Sequence, residues 1–401
     1  MSHSVPAPPA RELARNYAID WLRIAVVLVV FFFHAAHIFD LDLAASVKNR
    51  DTSLALSVYV FFVYQWDMQL MFVLAGASAW YSLRTRTAVG YLRERSRRLL
   101  VPFAFGSLVL IPWNGYMSAL NHGAFHGSYW RYFPIHFEGI WAALKAPPFP
   151  YSPSVLFVTS WHLWFLGYLM VFSLLARPLF LFAGAEKRRA FFVRAVSWRQ
   201  EPWALCALGF PILLIKLALD ASFPSHTDWS ETLVWAALYC YGWLFMAEPC
   251  FLRKAIDQAI GWLTVGCICT AMLSGAYAKG YLSDWMNHPA YTWDYLLYQL
   301  VASVNTWAWV LAILGLGMRL LNFSNAMLEY AGECVLPFYI LHQTVMFSIA
   351  FVVVQYSLGV SWKFLIITIG AFLITLTIYE LALRRNNGLR ILFGMRPLPR
   401  R

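Results

Sequence analysis

An aspartate, an arginine and a histidine in one apolar stretch near the start of the chain are spaced to work together. In YAIDWLRIAVVLVVFFFHAAH, Asp20 precedes Arg23 by three positions, and ten residues separate Arg23 from His34. Eleven helical steps of 100° come to about 1,100°, about 20° past three full turns. A helix therefore puts Arg23 and His34 on one face, about 16 Å apart along its axis. A guanidinium grips carboxylates and phosphates, and Asp20 is placed to pair with it. An imidazole, with an ordinary pKa of about 6.5, takes and returns a proton near neutral pH. The pair suits a substrate whose anionic head rests at Arg23 and whose reactive end reaches His34. His37 lies one turn further on, and the spacing alone leaves it as an alternative base.

Other polar residues interrupt apolar runs, where ionisable groups are costly and mark function more often than elsewhere. They are Asp67 in QWDMQLMFVLAGAS, His162 and Trp164 in SWHLWFLGYL, His342 in PFYILHQTV, and Glu380 near the end of the last run. Taken singly, each also fits a hydrogen bond between helices. In RTRTAVGYLRERSRRLLVP, Arg95 and Arg98 share a helical face ahead of Pro102 and could form a phosphate-binding cluster. Lys216 and Asp220 read as a structural i,i+4 ion pair. His122, His126 and His136 have no accompanying cysteine or carboxylate set, and the six cysteines form no CxxC, so no metal site and no disulfide framework is expected.

These groups must be held by something other than a soluble domain. The 401 residues are 60% hydrophobic, 18% aromatic and only 13% charged, against about 45–50% apolar and about 25% charged in ordinary globular chains. Continuous apolar blocks, without the alternation of a porin, predict an all-α polytopic membrane protein. Ten spans are expected, at about 21–40, 56–83, 99–120, 160–182, 203–220, 231–251, 261–281, 295–320, 334–356 and 362–383. The net charge of +11 does not signal nucleic acid, because most Lys and Arg residues fall on alternate connections. That asymmetry puts both termini in the cytoplasm. Residues 1–15 read as a flexible tail, 16–385 as one membrane domain and 386–401 as a basic cytoplasmic tail, with one long outer segment at 121–159.

The Asp20-x-x-Arg23 pair and His34 after ten residues resemble the signature of the acyltransferase 3 family of multipass membrane acyltransferases. HLWFL at 162–166, RLLNF at 319–323, YILH at 339–342, YELALR at 379–384 and LFG at 392–394 continue the likeness, which looks most like the branch that succinylates periplasmic glucans. The resemblance implies about ten membrane helices in a bacterial inner membrane. It implies acyl-coenzyme A as donor substrate, with no tightly bound cofactor, and a glycan or lipid-linked sugar hydroxyl as acceptor. On that reading His34 is the general base, Arg23 and Asp20 its companions, Arg95 and Arg98 hold the donor's phosphates, and His162 and Trp164 stand on the acceptor side. The competing class is a transporter of a carboxylate or glycan, with Arg23 and His34 in gating or proton coupling.

Overall fold

In the computed structural model the chain is helical, with no strand among the described residues, which are 16–42, 46–146, 152–184, 200–225, 227–282, 285 and 291–399. The tail 1–15, the basic run 187–199, and Arg400 and Arg401 lie outside them. Eight helical segments are long and apolar enough to cross a membrane. They are α1 (Tyr17–His37), α2 with α3 (Leu54–Tyr64 and Asp67–Thr85), α4 (Val89–Asn121), α6 running into α7 (Val155–Ser160 and Trp164–Gly184), α11 (Ala259–Ala278), α12 (Trp293–Leu320), α13 (Ala326–Val353) and α14 (Val360–Leu383). All ten expected spans contain helix, and the other two are shorter or less apolar than these eight. The helix at Ala204–Leu219 (α8) has 16 residues, about 24 Å against a hydrocarbon core of about 30 Å. The helix at Trp229–Ala247 (α9) begins with Ser230, Glu231 and Thr232, which dilute its apolar run. The long segment 121–159 is also more than a connection, since Tyr129–Lys145 forms a helix (α5). A short helix, Pro249–Asp257 (α10), links α9 to α11.

Local chemistry sets the helix ends. Ser53, Thr87, Thr292 and Asn325 each accept a hydrogen bond from a first-turn backbone N–H, and such caps are worth about 1 kcal/mol each. Irregularities have causes as well. Pro102 and Pro112 lack an N–H and would clash with the carbonyl four residues back; each follows a widened five-residue π-turn, Ser96–Leu100 and Gly106–Leu110. The second of these meets the 3₁₀ turn Trp161–Leu163 that separates α6 from α7, where a Cβ on Gly106 would stand 2.2 Å from Leu163 Cδ1.

Helix α1 lies at the centre, packed against α2, α3, α12, α13 and α14. The closest crossing is α3 on α9. A Cβ on Gly76 would sit 1.9 Å from the Tyr239 carbonyl oxygen, and one on Gly242 would sit 1.9 Å from that of Val73. Small residues that let backbones touch are how helices associate in lipid, where apolar burial gives no net drive. The periphery keeps Leu108, Leu175, Phe210, Ile268, Leu297 and Leu373 exposed, a surface suited to acyl chains rather than water.

The end of the bundle beyond His37 is closed by residues 46–53. Asp40 accepts from Lys48 Nζ at 2.6 Å and lies 2.6 Å from His37 Nδ1. Lys363 Nζ donates to Asn49 Oδ1 at 2.8 Å and to the Val354 carbonyl at 3.0 Å. Burial pushes the Asp40 carboxyl up, but its hydrogen bonds to His37 and Lys48 outweigh burial and hold it below the ordinary carboxylate value. A depressed native pKa adds stability above the unfolded value of about 3.9 that is lost as pH falls through the native one. Asp40→Asn is expected to cost about 1–3 kcal/mol at pH 7. Its thermal midpoint in detergent should also lose part of the wild-type decline below about pH 4.

Candidate active site

Helix α1 carries the expected stripe. Arg23 Nη1 lies 3.2 Å from Asp20 Oδ1, so the anticipated pairing forms, and Nη2 donates to Ser78 Oγ of α3 at 2.6 Å. Arg23 faces a cavity of about 450 Å³. Among the described residues five arginines line it (Arg23, Arg86, Arg95, Arg98 and Arg396) against two carboxylates, Asp20 and Glu94. Glu94 stands 3.2 Å from Arg86 and 3.7 Å from Arg98, and the Arg95 guanidinium lies over the Tyr91 ring at 5.1 Å. One carboxylate shared by two arginines leaves a net positive hollow, an electrostatic trap for a polyanion. Its inner wall turns apolar through Val27, Phe165, Leu166 and Tyr339.

Arg396 enters from the end of the chain. Helix α15 (Asn387–Leu392) is capped by Asn386, and the strand of chain after it packs back on α4. Arg97 donates to the Met395 carbonyl at 3.1 Å, and Arg390, buried, donates to the Arg396 carbonyl at 2.6 Å. Gly394 takes φ +71°, and a Cβ there would stand 2.9 Å from the Arg98 carbonyl oxygen, so the turn needs glycine twice over. Arg396 of the basic tail is thus part of the cavity wall.

Three turns along α1, His34 meets two other imidazoles. Its ring centroid is 5.5 Å from that of His342 and 6.4 Å from that of His162, and the latter two are 5.6 Å apart. Gln343 Nε2 lies 3.3 Å from His34 Nδ1. His162 Nε2–H donates to the Ile340 carbonyl at 3.2 Å, and His342 Nδ1–H to the Tyr339 carbonyl at 2.7 Å. Because a carbonyl only accepts, each of those rings carries its proton on the bonded nitrogen when neutral. Their other nitrogens, His162 Nδ1 and His342 Nε2, are buried with no hydrogen-bond partner. Trp161, at φ 44°, is the one non-glycine residue at positive φ among the described residues. Such a conformation stores on the order of 1–3 kcal/mol, and here it turns the chain so that His162 enters the cluster.

Tyr339 joins the two features. Its ring lines the cavity and lies 6.0 Å from both His162 and His342, while its hydroxyl donates to the His162 carbonyl. The remaining sequence candidates are elsewhere. His37 is engaged by Asp40 at the far end. Trp164 stacks on Trp235 at 4.6 Å within an aromatic core and does not reach His34. Asp67, buried at the start of α3, accepts from Met68 N at 2.6 Å, away from the cavity lining. Glu380 pairs with Arg384 at 3.1 Å outside both features. Lys216 does bond Asp220, at 3.2 Å, and also Glu231. His136 packs on Gly115, whereas His122 bonds the Ser118 carbonyl. Ser78, Arg86, Glu94, Tyr339 and Arg396 were not singled out from the sequence; the run RTRTAVGYLRERSRR held a signal for two of them, in the acid set among its arginines. A family model described as an acyltransferase domain matches residues 16–380. No curated protein and no solved structure matches the chain.

Proposed function

The chain belongs to the acyltransferase 3 family of membrane proteins, and from that premise we propose that it moves an acetyl or succinyl group from acyl-coenzyme A to a sugar hydroxyl on the opposite side of the membrane. The observation that carries the reading is the arrangement on α1. Arg23 opens into a cationic cavity at one end, and His34 stands half-buried beside the buried imidazoles of His162 and His342, about 16 Å further along the same stripe. An extended pantetheine arm spans such a rise. The donor's phosphates rest on Arg23, Arg95 and Arg98, with Arg86 and Arg396 completing the ring. The basic connections orient that end to the cytoplasm of a bacterial inner membrane.

His34, rather than the Asp40-bound His37, then acts as base. The sugar oxygen attacks the thioester carbonyl as His34 takes its proton; the C–S bond breaks, and the imidazolium returns the proton to the departing sulfur. General-base help of this kind contributes about 10²–10⁴-fold. The acceptor approaches from the end opposite the cationic cavity, past His162. The test uses the full chain in proteoliposomes with radiolabelled succinyl- or acetyl-coenzyme A outside and envelope glycan within. Loss of thioester matched by base-labile label on the glycan is the expected result. Passage of glycan or carboxylate across the bilayer with the thioester intact would replace this reading with transport.

Arg98→Ala is expected to raise KM for the acyl donor about 10- to 100-fold, with a smaller change in kcat. The magnitude is that of one lost hydrogen bond to a charged group. An initial-rate series over donor concentration checks it, and an unchanged KM would remove Arg98 from the donor site.

A further inference from the structure

The geometry points to Gln343 as the residue that sets the tautomer of His34, a role resting on the reading of His34 as base. Gln343 is buried, directly follows His342 on α13, and its carboxamide faces His34 Nδ1 at 3.3 Å. With Nε2 toward the ring, the amide donates to Nδ1, and Gln343 Oε1 is left buried with no partner. Neutral His34 would then hold its proton on Nε2 and have no bare nitrogen for a substrate hydroxyl. A half-turn of the carboxamide exchanges its oxygen and nitrogen without moving any other atom. Oε1 then accepts from His34 Nδ1–H and leaves the ring's Nε2 bare, while the amide nitrogen gives up its contact with the ring. Hydrogen bonding, not the shape of the amide, decides between the two.

Neither His162 nor His342 does this, because no nitrogen of either ring hydrogen-bonds His34. Both commit their N–H groups to the backbone carbonyls of Ile340 and Tyr339. What they offer the cluster are lone pairs, which could accept hydrogen bonds from the incoming hydroxyls. The other histidine of α1, His37, is bound to Asp40. In the competent state Gln343 thus keeps one proton on Nδ1 throughout. The hydroxyl proton arrives on Nε2 as the C–O bond forms and leaves from Nε2 to the thiolate as the C–S bond breaks, so Gln343 neither gains nor loses a proton. An amide that orients a catalytic imidazole serves as the neutral counterpart of a triad carboxylate.

The test reads the tautomer directly. The full chain, labelled with ¹⁵N-histidine in lipid, is compared with His34→Gln to assign the His34 resonances by solid-state NMR. The wild type should show a protonated Nδ1 and a bare Nε2. In Gln343→Met the His34 signals should move toward a mixture of both forms, with kcat for acyl transfer down about 10- to 100-fold and KM for the donor little changed. Gln343→Glu, which can accept but not donate, should keep Nδ1 protonated and retain more activity than the Met variant. A bare Nδ1 in the wild type, or an unmoved His34 signal in Gln343→Met, overturns the inference. The wild-type spectrum decides even where a variant fails to fold. Normal acyl transfer by His34→Gln would instead defeat the reading of His34 as base and leave the tautomer result standing.

Discussion

His34→Ala is expected to lower acyl transfer by about 10²–10⁴-fold or more while the protein still reaches the membrane. The effect is large because the removed group is the only imidazole of the cluster on the arginine-bearing stripe of α1, and the two others stand on different elements. The N–H groups of His162 and His342 are held by backbone carbonyls of α13, which fixes those rings facing their own partners. Structural cost should be modest, since His34 is only half-buried and its polar contact in the bundle is Gln343. His37→Gln is the matched control. It acts on the Asp40 tether at the far end and should spare transfer. Label on the glycan, normalised to protein in the membrane fraction, is the measurement; wild-type transfer by a well-inserted His34→Ala protein would defeat the proposed role.

Gly76→Val should prevent the bundle from forming. At this crossing of α3 and α9 the obstacle to a side chain is backbone: the Tyr239 carbonyl oxygen would be 1.9 Å from the new Cβ, and Gly242 makes the reciprocal approach to Val73. No rotamer change relieves a clash with a carbonyl, so the helices must separate, which strips contacts along both. Overpacking a well-filled core already costs about 1–3 kcal/mol, and here the neighbour cannot yield. The expected result is little monodisperse protein on size exclusion and a thermal midpoint well below wild type. Gly139→Ala, in α5 with nothing within 4 Å of its would-be Cβ, should leave both unchanged. A Gly76→Val protein with normal elution and melting would show that the two helices can part without cost.

What could be read along the chain is what local chemistry controls. Apolar blocks of about 20 residues called for membrane helices, and the 3.6-residue period put Arg23 and His34 on one face, because both depend only on residues within a few turns. The Asp20–Arg23 pair formed for the same reason. Helix forms at all ten expected spans, but it is short at Ala204–Leu219, and polar residues dilute the run at Trp229–Ala247. Trp164 was plausible beside His162 by position. The turn at 161–163, however, sends neighbouring side chains in different directions, one into the imidazole cluster and the other into an aromatic stack.

Sequence alone determined the helical membrane architecture and the aligned arginine and histidine of α1, since hydropathy and periodicity are properties of contiguous residues. Only the tertiary structure decided that positions 34, 162 and 342 meet, that Gln343 faces the first of them, and that Arg396 folds back to complete a cavity begun by Arg23. Those contacts join segments more than a hundred residues apart. They arise from which helix backbones can approach closely, at glycines such as Gly76 and Gly242, and from irregular turns such as that at Trp161, whose direction no local pattern specifies.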